Sequence, residues 1–384
     1  MQDIQGIPED YRLTRWFQPI YEAYSVKRFP AALNVPDSVR AILNKLHRKA
    51  GVSPLGGGGG ALPQLQLNRP ADGKKRAFIS FAGGKDALAV AIRAAEDGYV
   101  PTLFYIQGVN KVVPSERTAS EACAKMAGFP LVERKINIKG TKDFGEHPLK
   151  NVFILCMLID EGIKHGTTTF GQGNIFEEDS THSILDDCLS DAYDILRDFC
   201  RVFRQMLPQF VHLQYLHDNL QAFYTVWRYN KNIIPLLSTC NTGDFRRPMR
   251  RKYIAEHFGA GVLSTKGCGG CYKCAMEYNN KVKFGMIPHP NPKYQAYGTK
   301  LINDFKRTHN KTFRPPVGFN RYGGRDTAEV QVMEDPCGYY IGRLEYEPQV
   351  GKWFSRDFFG HQHYSTRARA EQVCQRFKSL YHVE

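Results

Sequence analysis

The chain has 384 residues, 42% of them hydrophobic, 12% aromatic and 23% charged, a balance suited to a globular protein of two or three domains. Its longest apolar run, Asn151–Ile159, falls far short of the ~20 residues that cross a bilayer, so no membrane partner is expected. The mixed, partly acidic start is unlike a secretory signal or transit peptide, which points to the cytoplasm.

The net charge of +14 is unevenly placed. Residues 201–384 hold 28 Lys and Arg against 14 Asp and Glu, whereas the first 200 hold 24 of each. Between Arg228 and Lys283 the ratio is 11 to 3, which suits nucleic acid or an anionic nucleotide substrate. Solubility charge spread over a surface explains the same count.

Residues 1–50 carry short helical patterns, with Val39, Ile42, Leu43 and Leu46 on one stripe of 37–51. Residues 51–75 contain five consecutive glycines and three prolines and read as a flexible linker. From residue 76 the text alternates. Strands are expected at 76–81, 100–108, 130–138 and 167–173, with helices at 85–97, 114–128 and 147–166 between them. Such alternation predicts an α/β fold, a parallel sheet with helices on both faces. Ligands on such sheets sit at the carboxyl ends of the strands, where Ala82–Asp86, Gln107–Asn110 and Gly171–Asp179 all fall.

After Thr181 the pattern turns helical. Ile184 to Phe203 keeps helical spacing, and a second helix is expected over 213–227. Residues 286–384 read as a small α+β unit: strands at 338–347 and 351–359, then a helix over 365–381 with Ser365 or Thr366 as its N-cap.

Two motifs carry chemistry. In the first, Phe78–Phe81 runs into Ala82-Gly83-Gly84-Lys85-Asp86-Ala87 and an alanine-rich helix. Paired glycines at a helix N-terminus let main-chain N–H groups approach an anion, most often phosphate; a tight turn that binds nothing has the same text. In the second, Cys268, Cys271 and Cys274 form a C-x2-C-x2-C run on a glycine-rich turn, a spacing from which thiolates reach one soft metal ion. Cys240, then His257, are candidates for a fourth ligand. Four further cysteines, at 123, 156, 188 and 200, read as core.

The glycine segment resembles the Ser-Gly-Gly-x-Asp-Ser loop of the PP-loop ATP pyrophosphatases, the adenine nucleotide α-hydrolase group. That resemblance implies a Rossmann-like fold of the same type and a loop that cradles the pyrophosphate of ATP. The expected nucleotide residues are Ser80, Ala82, Gly83, Gly84, Lys85, Asp86 and Ala87, with Lys85 and Asp86 catalytic. Phe104, Tyr105 and Ile106 would present main chain to adenine, and Gly171, Gln172, Gly173 and Asn174 would line the ribose and α-phosphate. Asp179 would join Asp86 in holding Mg²⁺. Both family serines are alanine here, at 82 and 87; Ser80 or Thr181 could supply a hydroxyl, or the site binds through main chain and Lys85 alone, or it has lost turnover.

The cysteine run is similar to the zinc site of the 7-cyano-7-deazaguanine synthases of queuosine biosynthesis, within the same superfamily. The first cysteine of that pattern falls on Gly259. The resemblance covers about residues 75–285 and implies ATP, Mg²⁺ and Zn²⁺ as cofactors and a nucleobase-like substrate, with a homodimer compatible. Two other readings stay open. One is sulfur transfer, as in tRNA thiolation, DNA phosphorothioation or phosphoadenylylsulfate reduction, with an iron–sulfur cluster on the cysteines. The other is a nucleotide-binding scaffold that holds nucleic acid through 228–283 and the C-terminal aromatics Tyr339, Tyr340, Trp353, Phe354, Phe358 and Phe359.

Overall fold

The computed structural model describes residues 3–24, 29–67, 73–107, 114–139, 149–173, 192–213, 219–238, 247–264, 267–308, 331–335, 338–347, 352–357 and 366–381. It opens with β1 (Asp3–Gln5), α1 (Arg12–Ala23) and α2 (Asp37–Lys49). The alternating region follows as β2 (Arg76–Ser80), α3 (Lys85–Glu96), β3 (Val100–Gln107), α4 (Pro114–Ala127), β4 (Leu131–Lys135), β5 (Asn137–Lys139), α5 (Lys150–Lys164), β6 (Thr169–Gln172), α6 (Ala192–Met206), β7 (Val211–Leu213) and α7 (Asn219–Asn230).

Five of these strands form one sheet in the order β4-β3-β2-β6-β7, every pair parallel. The architecture is α/β and Rossmann-like. The chain winds outward from β2 to β4 and then returns through α5 to β6 on the other side of β2. The order therefore reverses between β2 and β6, and a crevice opens at their carboxyl ends in sheets of this kind. Side chains alternate along β2, so Ala77 and Ile79 face one helical layer and Phe78 the other. Ile79 shares its cluster with Leu88, Ile92, Cys123 and Phe223 of α3, α4 and α7, whereas Phe78 belongs to the cluster of α5 and α6, on whose outer side α1 and α2 add Phe17 and Leu43.

The N-terminal helices thus pack on the outer side of that second layer. At the N-cap of α1, Tyr11 makes no side-chain capping bond. Asp160 of α5 does this work from across the core. Its carboxylate accepts from the N–H groups of Leu13 (3.0 Å) and Thr14 (2.7 Å) and from Thr14 Oγ1 (2.7 Å). Burial pushes the Asp160 carboxyl up to about 6, with the Thr14 and Leu13 bonds opposing the rise. Next to it the fully buried Glu161 accepts from Tyr11 Oη and from Arg134 Nη2 at 2.5 Å.

Residues 51–67, expected as a flexible linker, run as a strap over α1, α2 and the end of α6. Gly56 bridges Ala32, its N–H donating to Ala31 O at 2.8 Å. Trp16 Nε1 donates to Ala61 O at 3.2 Å, and Leu65 N to Met206 O at 3.3 Å. At Gly57 φ is +86°, and a Cβ there would lie 2.6 Å from Leu33 O. The glycine run thus serves close backbone approach as well as turning.

Two expected elements differ. The strand over 130–138 breaks at Ile136, whose N–H donates to Gln107 O, and β5 then pairs antiparallel with β1 in a separate ribbon. Leu213, placed at the start of a helix, instead ends β7 beside Gly171, and α7 begins at Asn219.

Downstream lie α8 (Arg247–Phe258), α9 (Tyr272–Lys283) and α10 (Pro292–Thr308), packed around Ile254, Val262, Tyr278 and Tyr294. The C-terminal region has an antiparallel sheet of β8 (Gln331–Asp335), β9 (Gly338–Glu347) and β10 (Lys352–Asp357). α11 (Arg367–Tyr381) covers it through Ala370 and Cys374 on Ile341, and Thr366 Oγ1 caps its first turn. Phe358 and Phe359 lie outside the described residues, as do the side chains of Tyr340, Trp353 and Phe354. Among the described residues, no helix is long and apolar enough to cross a membrane.

Candidate functional site

The β2–α3 turn stands at the switch point of the sheet. Ser80 ends β2 level with Phe104 on one side and Gln172 on the other. Phe81 N donates to Phe104 O at 2.8 Å, and β3 then runs on through Tyr105 and Ile106, paired there with β4. Gly83 has φ +76°, and a Cβ on it would lie 2.8 Å from Ala119 Cβ of α4. Both facts demand glycine. Gly84, the N-cap of α3, faces open space: a Cβ there would meet only Ser238 O, at 3.9 Å. It has no side chain with which to cap α3, so the first turn of the helix presents its N–H groups and positive dipole end, which favour an anion.

Lys85 and Asp86 form an ion pair at 2.7 Å, with side chains only 6% and 19% exposed. Ala82 is half-buried, and Ala87 is buried under Gly173, where a Cβ would lie 2.6 Å from Ala87 Cα. The β6 exit is thereby held against the first turn of α3. Gly171 does different work. A Cβ there would lie 2.6 Å from Ile79 Cδ1 and 2.9 Å from Val90 Cγ1, so this glycine lets the α3 layer close directly on β6. Phe104 is fully buried in the core. Tyr105 is also buried, and its hydroxyl is pushed up to about 12, mainly by burial and then by Glu116 and Glu133. Asn174, Asp179 and Thr181 lie outside the described residues.

Two buried polar atoms here have no hydrogen-bond partner among the described residues: Ser120 Oγ, on the stretch of α4 that meets Gly83, and Gln172 Oε1, at the end of β6 on the α5 side. Ser120, fully buried on α4, has its main-chain nitrogen 3.2 Å from where a Cβ on Gly83 would lie. Gln172 is anchored by its Nε2 donating to Asn151 O at 2.9 Å, which leaves its oxygen unmet. Leaving such atoms unsatisfied costs about 1–3 kcal/mol each, so each is an argument for a ligand. Sequence reasoning passed over Ser120 because its spacing is that of an ordinary helix and no glycine marks it.

The three cysteines converge. Cys268, Cys271 and Cys274 are buried, and their Sγ atoms all lie within 4.8 Å of one another. The Cys268–Cys274 and Cys271–Cys274 separations are 3.9 and 3.5 Å. A tetrahedral zinc with ~2.3 Å bonds needs sulfurs ~3.8 Å apart, so this donor set fits a thiophilic metal. Cys271 is the N-cap of α9, where the helix dipole favours thiolate. Gly269, at φ +72°, turns the chain under Leu263 and Ile254. Tyr294 Oη donates to Gly269 O at 2.6 Å, and Arg251 Nη1 to Ser264 O and Gly267 O at 2.7 and 2.6 Å.

Of the fourth-ligand candidates, Cys240 lies outside the described residues. His257 does not join the cluster; it is exposed, its Nδ1 meeting Tyr253 O at 2.8 Å. Gly259 adopts φ +86° just past α8, a conformation in which a cysteine would be strained. Beside the triad a cavity of about 250 Å³ is lined by Cys274, Tyr278, Tyr294, Pro235 and the paired side chains of Glu277 and Lys281.

No protein-family model matches the chain, and no curated protein matches it.

Proposed function

We propose that the chain is an ATP pyrophosphatase of the PP-loop kind, an adenylylating enzyme related to the 7-cyano-7-deazaguanine synthases. Its α3 N-terminus receives the pyrophosphate of ATP, and Lys85 balances the charge that develops as this group leaves. The carbonyl oxygen of a nucleobase-like substrate attacks the α-phosphorus, pyrophosphate departs, and an amine displaces AMP from the activated carbon. The observation that carries this reading is the glycine turn at Gly83–Gly84, which opens α3 at the sheet's switch point and lies against Ser120, whose buried hydroxyl is unmet.

Asp86 would hold Mg²⁺ with phosphate oxygens. Cys268, Cys271 and Cys274 would hold zinc, which fixes the turn that leads into α9. The cavity beside Cys274 offers a carboxylate–ammonium pair and tyrosine rings to a small heterocycle. Pro235 lines it and lies three residues from Ser238, whose N–H donates to Gly83 O at 2.8 Å, so the cavity and the turn share one short segment.

The test is pyrophosphate release from ATP with nucleobase carboxylates and amides as acceptors, beside ATP binding by calorimetry. Wild type is expected to bind ATP·Mg²⁺ and release pyrophosphate with an acceptor, and Lys85→Ala and Asp86→Asn to lose both. Absence of ATP binding by the wild type overturns the reading. The sulfur-transfer alternative rests on the same three buried thiols. A brown protein with iron and acid-labile sulfide would favour it, and a colourless one with stoichiometric zinc would not.

A further inference from the structure

Part of the basic excess between Arg228 and Lys283 lies on an exposed face of α8. α8 buries Ile254 and tucks Arg251 and Phe258 against its neighbours. A continuous arc of its circumference is exposed. In angular order that arc carries Lys252, Glu256, Met249, Tyr253, His257 and Arg250. Met249 is 73% exposed and Tyr253 48%, a large apolar outlay for a helix surface. Glu256 is the one acidic residue of α8, and Lys252 lies 4.0 Å from it. His257 stacks on Tyr253 with ring centroids 4.0 Å apart at 29°.

We infer that the exposed face of α8, with the Tyr253–His257 stack flanked by Arg250 and Lys252, binds single-stranded nucleic acid. Aromatic platforms interleaved with cations suit this partner, since any base can stack and the backbone is neutralised without groove readout. A duplex hides its base faces and so cannot use Tyr253. An acidic protein would use the cations and leave the exposed rings idle. The inference stands apart from the nucleotide site and does not require its activity.

Fluorescence polarisation on the full chain tests it, with labelled oligo-U and oligo-dT of about 20 nucleotides, a duplex of equal length and polyglutamate as probes. Both single strands are expected to bind more tightly than the duplex and polyglutamate; a gap between oligo-U and oligo-dT would identify RNA or DNA as the preferred form. The double variant Tyr253→Ala/His257→Ala should weaken single-strand binding by about tenfold or more, while Tyr253→Phe retains it. Arg250→Ala/Lys252→Ala should lower the salt slope by about 0.7 for each lost phosphate contact. These side chains are exposed, so unchanged melting curves will show that the variants fold. The inference is overturned if no single strand binds at low salt. It is also overturned if polyglutamate binds as well as oligo-U, or if removing the two rings changes nothing.

Discussion

The main-chain N–H of Ser238 donates to the carbonyl oxygen of Gly83 at 2.8 Å. This bond ties the glycine turn to the segment that follows α7, which carries Ile233 and Ile234 into the α3–α7 core and Pro235 to the wall of the cavity beside the cysteines. Movement of the turn on ligand binding is therefore expected to reach the cysteine region through four residues of chain.

The two glycines of the turn should respond differently to a methyl group. Gly83→Ala meets both a positive φ and the Ala119 side chain, and is expected to cost about 1–3 kcal/mol of stability. Gly84→Ala has room and an ordinary extended conformation, and is expected to leave the melting temperature nearly unchanged. Thermal melts of the two variants check this; equal losses would contradict the geometry described at Gly83.

Ser120→Ala separates a ligand-facing hydroxyl from a structural one. Removing an unmet buried hydroxyl should leave stability unchanged or slightly raised. ATP affinity, by contrast, should fall about tenfold if the hydroxyl donates to a phosphate oxygen, a bond of roughly 1.5–3 kcal/mol. Calorimetry beside a thermal melt reads both. A stability loss with unchanged affinity would make Ser120 structural.

Metal analysis of the purified chain should find about one thiophilic ion per molecule, retained through dialysis. Cys271→Ser should lose it and lower the melting temperature, because the turn at Gly267–Cys271 then relies on hydrogen bonds such as those from Arg251 and Tyr294 without the metal. Full metal content in that variant would move the ion elsewhere.

The cavity predicts a division of labour. Glu277→Gln should raise the KM for the acceptor substrate about tenfold and leave the KM for ATP unchanged, since Glu277 lines the cavity and not the turn. Steady-state kinetics with each substrate varied in turn decides it. A change confined to ATP would place the acceptor elsewhere.

Asp160 gives a pH signature. Its folded-state carboxyl is raised to about 6 by burial, against a usual value of 3.8. The folded protein therefore binds this proton more tightly than the unfolded chain, and the contribution to stability grows as pH falls from 7 toward 4. The advantage of wild type over Asp160→Asn should increase over that range, by up to ~3 kcal/mol. Melting curves of the pair at pH 7.5 and 5 measure it, and a gap that shrinks on acidification would contradict the assignment.

Much of the sheet was legible because parallel strands buried on both faces leave continuous apolar runs, as at Ala77–Ile79 and Leu103–Ile106. β7 was not, since its three residues are too short to alternate. The glycine run at 56–60 misled for a physical reason: glycine marks close backbone contact as readily as freedom, and here the chain lies against residues 31–35. At the site, Gly83 and the three cysteines were visible from spacing, whereas Ser120 and Ser238 reach the turn through tertiary contacts that leave no local pattern. Asp160 was hidden in the same way, as a cap supplied from another helix.

The burial of Tyr11, Phe17, Tyr21 and Tyr24 has a practical corollary. Trimming the chain to the alternating region alone would strip the outer cover from α5 and α6 and leave Phe153 and Phe199 facing water. The smallest autonomous fragment therefore retains the first two helices and their glycine belt, and a shorter piece should aggregate rather than fold.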